Sequence, residues 1–395
     1  MTKDRVAIVI SHPIQHFCPQ YASWAKLSQI EIKVFFASKY GLFPYMDNGF
    51  NCIVRWDGIK LDFPYEFLPE AEENTLMPAI DSPDLVSHLS AFSPNVLIVY
   101  GYSQPLQRRA LRWAKTNGIS TLMISDSELR SSRSWMKRII KLVWLPHVFR
   151  DVSLFLTVGD ANEEYYRNYG VADDRLVRCF FPIDIHHYDT VMVRRDECRS
   201  HIRNQLGIPI HHKVVLMVGK LVSWKRQTDL IRFSNAIQSE NNNITVVLAG
   251  TGPDETLLRS LVKRTGVGGV LFAGFVPPEL LAEYYCAADV YVHCSEHEPH
   301  SLAISEAIYC GLPIVLSDRC GSYGPTDDVQ PGLNGFVYRC TDIADLSAKL
   351  LNLINNDIAR SRMGNASRTI ARYHQGLAHM GALEQALNLI KNSGK

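Results

Sequence analysis

The sequence predicts an α/β protein of two doubly wound, Rossmann-like domains facing each other across a cleft. Three observations predict it. Short runs of Val, Ile and Leu recur without polar alternation, as in parallel strands covered on both faces. Mixed segments with helical spacing separate several of these runs. The scheme is played twice along 395 residues, a length that suits more than one core.

In the first half the runs at 6–10, 32–37, 96–100, 121–125 and 154–158 read as strands. A helical pattern over 103–117 ends at Gly118, a suitable helix C-cap. In the second half, strands are expected at 214–218, 245–249, 270–272, 290–293 and 314–317. Helices are expected at 226–239, 254–265, 278–287, 301–310 and 343–355, with Pro277-Pro278 suiting a helix start. The segment 184–209 is polar and weakly periodic and reads as the linker. The domains are therefore drawn at 1–190 and 191–373. A terminal helix within 374–395 carries Leu377, Met380, Leu383, Leu387 and Ile390 at helical spacing. It either caps the second domain or crosses back to the first.

Hydrophobic residues make up 46% and charged residues 21%, enough apolar material to exclude disorder as the main state. Lys and Arg number 41 against 40 Asp and Glu, and this balance argues against nucleic acid as a partner. The nine cysteines are odd in number, irregularly spaced and without a C-x-x-C pair. A disulfide framework or zinc site is not expected, and reduced thiols fit better. No signal peptide or spanning stretch is read. A cytoplasmic protein is expected, one that touches a membrane only from the side, at its inner face.

In doubly wound sheets ligands bind beyond the carboxyl ends of strands. After the strand at 214–218, Gly219 lets the chain turn, and Lys220 and Lys225 follow on a short loop before a helix. Two ammonium groups beside a helix N-terminus suit a diphosphate, although a solvated lysine loop has the same spacing. After the strand at 290–293 come Glu298 in a loop and Glu306 within the next helix, which opens Pro299-His300-Ser301. Carboxylates accept well from vicinal hydroxyls, so the pair suits a sugar and a ribose. Taken alone, however, the pair reads as two surface acids, with Glu306 stabilising its helix.

Together these loops carry a resemblance. Gly219-Lys220-x4-Lys225, Ala249-Gly250-Thr251-Gly252-Pro253, Gly274-Phe275-Val276-Pro277, Ala288-Asp289, Glu298-x7-Glu306, Leu312-Pro313-Ile314-Val315 and Gly332-Leu333-Asn334-Gly335 follow in order. Over about residues 213–372 the chain resembles the family-4 retaining glycosyltransferases of GT-B fold. The front half resembles one branch of that family through Ser11-His12-Pro13-Ile14-Gln15-His16-Phe17, Gly49-Phe50 and Trp56-Asp57.

The resemblance implies a retaining, metal-independent transferase that takes a nucleotide-diphosphate sugar, of the UDP class, as substrate and needs no cofactor. The donor would lie on the second domain, and a glycan, lipid-linked or small-molecule acceptor on the first. Lys220 and Lys225 would hold the diphosphate and offset its growing charge. Glu298 would hold the donor sugar, and Glu306 the ribose. Gly219, Gly252, Val276, His300, Ser301 and Leu302 would line the donor, with amides near Ser301 and Leu302 facing the diphosphate and the Phe275–Val276 loop beside the base. Loss of Glu298 or Lys225 is expected to abolish transfer while leaving thermal unfolding nearly unchanged.

Three departures bear on specificity. Lys220 stands where the family most often has Arg, and so lacks the bidentate fork. Pro299-His300-Ser301 replaces the commoner Pro-Phe-Gly. Many members carry a first-domain histidine near the sugar; at the strand end here either Asp126 takes that place or there is no equivalent. On the acceptor or phosphate side, His12, Gln15 and His16 follow the first strand; His12 either bonds a ligand or shapes the turn before Pro13. The segment 130–145 is basic and aromatic, suiting an anionic bilayer or a solvated basic face. Two other readings keep the fold: a sugar-nucleotide 2-epimerase, and a non-catalytic nucleotide-binding partner.

Overall fold

The computed structural model describes residues 3–55, 59–72, 79–130, 135–238 and 243–393. The chain forms two lobes, each built on a parallel sheet. The first lobe contains β1 (Asp4–Ile10), β2 (Ile30–Ser38), β3 (Tyr45–Asp47), β4 (Cys52–Val54), β5 (Tyr65–Glu72), β6 (Val96–Tyr100), β7 (Ser120–Ser125), β8 (Leu154–Thr157) and β9 (Leu176–Arg178). Seven of these form one sheet in the order β5-β2-β1-β6-β7-β8-β9, while β3 and β4 make a separate antiparallel hairpin. The second lobe contains β10 (Lys213–Val218), β11 (Ile244–Ala249), β12 (Val270–Gly274), β13 (Val290–His293), β14 (Ile314–Ser317) and β15 (Gly335–Tyr338). Their order is β12-β11-β10-β13-β14-β15.

The uninterrupted apolar runs arise because both sheet faces are covered. Val6, Ile8 and Ile10 belong to one core layer, and Ala7 and Val9 to the opposite one. Val214, Leu216 and Val218 likewise oppose Val215 and Met217. In each sheet the order reverses beside the first strand, at β1/β6 and at β10/β13. These switch points leave a crevice beyond the strand ends.

The segment 184–209 is not an open linker. It forms two helices, Ile185–Val193 and Arg195–Gln205, and the boundary drawn at 190/191 falls inside the first. Tyr188, Val191, Cys198 and Ile202 pack into the second lobe's core. The inner face of the helix Arg195–Gln205 is held largely by arginine, which hides it from an apolar-periodicity reading. Arg199 Nη1 donates to the carbonyls of Cys286, Ala287 and Ala288 at 3.2, 3.1 and 3.0 Å, and Arg203 Nε to that of Ala287 at 3.0 Å. Both guanidinium groups also pair with Asp289, at 2.8 and 2.7 Å. They satisfy the open C-terminus of the helix Pro278–Ala287.

At the C-terminus, the helix Asp357–Gly376 runs through a π turn, Leu377–Gly381, into the helix Ala382–Ser393. Ala382, Leu383, Ala386 and Leu387 pack into the first lobe's core, so the terminal helix crosses back. Gln20 Nε2 donates to the Ala378 carbonyl at 2.7 Å and fixes the crossing.

Candidate functional site

Strand pairing brings the two predicted loops together. β10 and β13 are neighbours, with Val215 opposite Val290, so the loops that follow them open side by side. The Glu296 N–H donates to the Trp224 carbonyl at 2.8 Å and ties the loops. The Lys225 ammonium then pairs with the Glu298 carboxylate, each side chain 16% exposed. Glu298 also meets His293 Nε2 at 3.2 Å and the Ser295 hydroxyl at 3.4 Å. Burial alone would raise the Glu298 carboxyl, but the His293 hydrogen bond and the Lys225 charge outweigh it and hold it at about 2. Glu298 is thus a fixed anion.

A close backbone approach underlies this corner. Gly250 has φ 148°, and a Cβ there would lie 2.0 Å from the Gly219 oxygen. Only glycine lets the β10 and β11 loops touch in this way.

A cavity of about 1070 Å³ lies between the lobes. Gly219, Lys225, Glu298, His300, Ser301, Leu302 and Glu306 line it from the second lobe, and His12, Gln15 and His16 from the first. Ser301 precedes the helix Leu302–Tyr309, and its N–H donates to Ser322 Oγ at 2.9 Å. The N–H groups of Leu302 and Ala303 precede the first intrahelical bond, made by Ile304, and leave the cavity an anion-favouring helix end.

Glu306 is half-buried on the cavity wall. Tyr285 donates to it at 2.8 Å, and Tyr188 is its second hydroxyl partner. Burial lifts its carboxyl to about 7 against the opposing pull of those hydroxyls. A carboxyl raised above its unfolded value stabilises the fold most below about pH 4.5, and that contribution is lost as pH rises through 7. Glu306→Gln is therefore expected to raise Tm by a few degrees at pH 8 and to leave it unchanged at pH 4.5. Thermal unfolding at both pH values checks this.

On the first-lobe side, Ser11 Oγ and His12 Nδ1 are 2.8 Å apart, and the Tyr40 ring stands edge-on to His12. Burial lowers both His12 and His16 to about 4, with the charge of His12 adding to the effect at His16. Both rings are neutral at pH 7 and act as hydrogen-bonding groups, not cations.

His300 reaches the cavity from a buried polar network. Its side chain is 1% exposed, with Nε2 3.4 Å from Asp328 Oδ2. Asp328 also meets His374 Nδ1 at 2.8 Å and the Ser305 hydroxyl at 2.5 Å.

Four predicted residues are placed differently. Gly252 lies under Leu221, whose oxygen would be 2.4 Å from a Cβ at 252, and it does not line the cavity. The Val276 side chain belongs to the second lobe's core. Asp126 stands at the end of β7, outside the cavity lining, with His300 and Glu298 as charged neighbours. Lys220 pairs with Asp47 of the first lobe at 2.9 Å. Asp47, His293, Tyr188, Tyr285 and Asp328 were not singled out from the sequence. A histidine closing the apolar run Val290-Tyr291-Val292-His293 was the only legible signal among them. Trp56 and Asp57 lie outside the described residues.

With this geometry in place, comparison with known proteins gives a consistent result. Residues 199–370 match the family described as glycosyl transferases group 1. An uncharacterized glycosyltransferase of Methanocaldococcus jannaschii is 35% identical over 126 residues, 32% of each chain. A D-inositol 3-phosphate glycosyltransferase of Corynebacterium efficiens is 30% identical over 211 residues, 48% of this chain and 49% of the relative. The matched stretches thus span between about a third and a half of these relatives' own length. Among solved structures, a glycosyltransferase from Rickettsia africae superposes with a TM-score of 0.72 at 11% identity, covering 99% of this chain and 100% of its own. The Anabaena protein HepE, solved in complex with UDP, gives 0.70 at 17% identity, covering 98% and 100%. Residues 199–370 of the second lobe are thus similar to glycosyl transferases group 1, and the chain as a whole has the GT-B fold.

Proposed function

We propose that this protein is a retaining glycosyltransferase, independent of a metal ion, that moves a sugar from a UDP-sugar to a glycan or lipid-linked acceptor. The observation that carries the reading is the Lys225–Glu298 pair at the β10/β13 switch point, beside a helix N-terminus and across the cavity from His12 and His16. Lys225 and the amides of Leu302 and Ala303 receive the diphosphate. Their positive ends stabilise the charge that grows as the bond from the anomeric carbon to the β-phosphate oxygen breaks. Glu298, fixed as an anion, accepts from donor sugar hydroxyls, and Glu306 from the ribose. The acceptor oxygen bonds to the anomeric carbon on the face the phosphate leaves, and its proton passes to the departing phosphate oxygen. His12, Gln15 and His16 orient the acceptor by hydrogen bonds. The UDP complex of HepE, a neighbour in fold, supports the choice of base.

A thermal-shift screen with UDP, GDP, ADP and their sugars tests the reading, since a ligand of the native state raises Tm by mass action. UDP compounds are expected to give the largest shift, and acceptor-dependent transfer with retained anomeric configuration is expected by NMR. Absence of any diphosphate effect overturns the reading. An epimerised donor formed without acceptor favours the 2-epimerase instead.

We further infer a lipid surface as partner, from the helix Trp135–Arg150. It contains no acidic residue, buries Leu145 and Phe149, and leaves Met136, Ile139, Ile140, Leu142 and Val143 between 51% and 66% exposed. Arg138 and Arg150 are exposed on the same helix. Exposed apolar side chains flanked by cations suit the interface of an anionic bilayer. Arg133 lies outside the described residues. No helix among the described residues is long and apolar enough to cross a membrane. Flotation is expected with vesicles containing anionic phospholipid, and Ile140→Asp with Val143→Asp is expected to abolish it. Equal recovery with neutral vesicles ends this inference.

A further inference from the structure

We propose that the β3–β4 hairpin of the first lobe is part of the donor site, and that its Asp47 is an internal anion which the donor diphosphate displaces from Lys220. This rests on the donor reading above and adds a residue to it.

The hairpin belongs to neither sheet. Two strands of three residues are not stable alone, so its position depends on what its turn touches. That turn lies on the loops after β10, β11 and β12. Asp47 Oδ1 and Oδ2 are 2.9 and 3.0 Å from Lys220 Nζ. The Phe50 carbonyl accepts from the Thr251 hydroxyl at 2.8 Å, and the Phe50 ring stands edge-on to Phe275 at 5.1 Å. Lys220 Nζ also lies 4.8 Å from the centre of the Phe50 ring.

Asp47 cannot swing away by itself. Its Oδ1 accepts from the Gly49 and Phe50 N–H groups at 2.8 and 3.0 Å, so the carboxylate is fixed by its own turn. The Gly49 backbone rests on the lysine stem, where a Cβ would lie 2.6 Å from Lys220 Cδ. Burial would raise the Asp47 carboxyl, but Lys220 and the two N–H groups hold it below the usual carboxylate range. It therefore remains charged at neutral pH.

Lys220 is thus paired with an anion of the first lobe, whereas Lys225 is held within the second lobe by Glu298. A diphosphate recruits Lys220 only by exchanging one anion for another. Because Asp47 moves with its turn, that exchange lifts the hairpin from Thr251 and Phe275. Donor affinity is accordingly set by a first-lobe residue outside every motif of the second lobe.

Asp47→Asn removes the charge and keeps the side-chain oxygen that the turn uses. Calorimetric titration with UDP is expected to show binding roughly two- to fivefold tighter than wild type, the range of a partly exposed ion pair. Cys52 gives a direct readout of the hairpin. It is half-buried, with Sγ 3.9 Å from the Thr251 hydroxyl. Maleimide labelling of Cys52, followed by peptide mass spectrometry, is expected to be faster in Asp47→Asn and in Phe50→Ala, and faster in wild type when UDP is added. Unchanged or weaker UDP binding by Asp47→Asn, or protection of Cys52 by UDP, overturns the proposal. If wild type binds no UDP, the donor reading fails on its own, and an unchanged Cys52 rate in Asp47→Asn then overturns the hold of Asp47 on the hairpin as well.

Discussion

Alanine at Glu298 or at Lys225 is expected to lower kcat for transfer by about two to three orders of magnitude, the usual cost of removing one preorganised charge at the reacting centre. The two losses have different origins. Lys225→Ala removes a cation from the departing diphosphate. Glu298→Ala removes the acceptor for the sugar hydroxyls and leaves the sugar free to rotate. Stability is expected to fall as well, which corrects the expectation of unchanged unfolding. The two groups are partners with 16% exposure each, so removing one strands the other in a poorly solvated corner. The cost lies between that of a surface pair and a buried one, about 2 kcal/mol. Lys225→Met combined with Glu298→Gln strands no charge and is expected to recover most of the lost Tm while transfer stays absent. Steady-state kinetics with thermal unfolding on the three variants checks both halves. Near-normal turnover in either alanine variant means that the site is elsewhere.

The core strands of both sheets were legible because a parallel strand covered on both faces must be apolar throughout, as in Val96–Tyr100 and Val214–Val218. The edge strand β5 was not legible, since Tyr65–Glu72 mixes Glu66, Pro69, Glu70 and Glu72 among its apolar positions. The helix Arg195–Gln205 was missed because arginines hold it to carbonyls and to Asp289 rather than through an apolar stripe. In the site, Lys225, Glu298 and Glu306 were singled out by the family resemblance of their loops, since their spacing alone equally fits solvated side chains at strand ends. The partner that neutralises Lys220 was not. Asp47 lies 173 residues away in sequence, in a hairpin that no periodicity announces. Pairing across lobes is a product of tertiary packing, and a local pattern carries no record of it.

Asp328→Asn is expected to lower Tm by roughly 10 °C at pH 5.5, the second large effect. Asp328 accepts from the Ser305 hydroxyl at 2.5 Å, meets His374 Nδ1 at 2.8 Å and lies 3.4 Å from His300 Nε2, and its side chain is 2% exposed. Burial would raise this carboxyl, but the two histidines hold it well below the ordinary range. Burial also works against a charged His300, but Asp328, Asp327 and Asp126 raise the imidazole above its ordinary value. Glu298 and Glu128 also act on Asp126 by their charge. Breaking such a pair costs about 3–5 kcal/mol, or on the order of 10 °C for a lobe of this size. The pH dependence follows from the sign of the His300 shift. A histidine with a raised folded value stabilises fully below about pH 6.5 and loses that contribution as pH rises through its folded value. The wild-type advantage over Asp328→Asn is therefore widest at pH 5.5 and narrows by pH 8.5. A gap that stays constant over that interval means that His300 carries no charge in the folded protein.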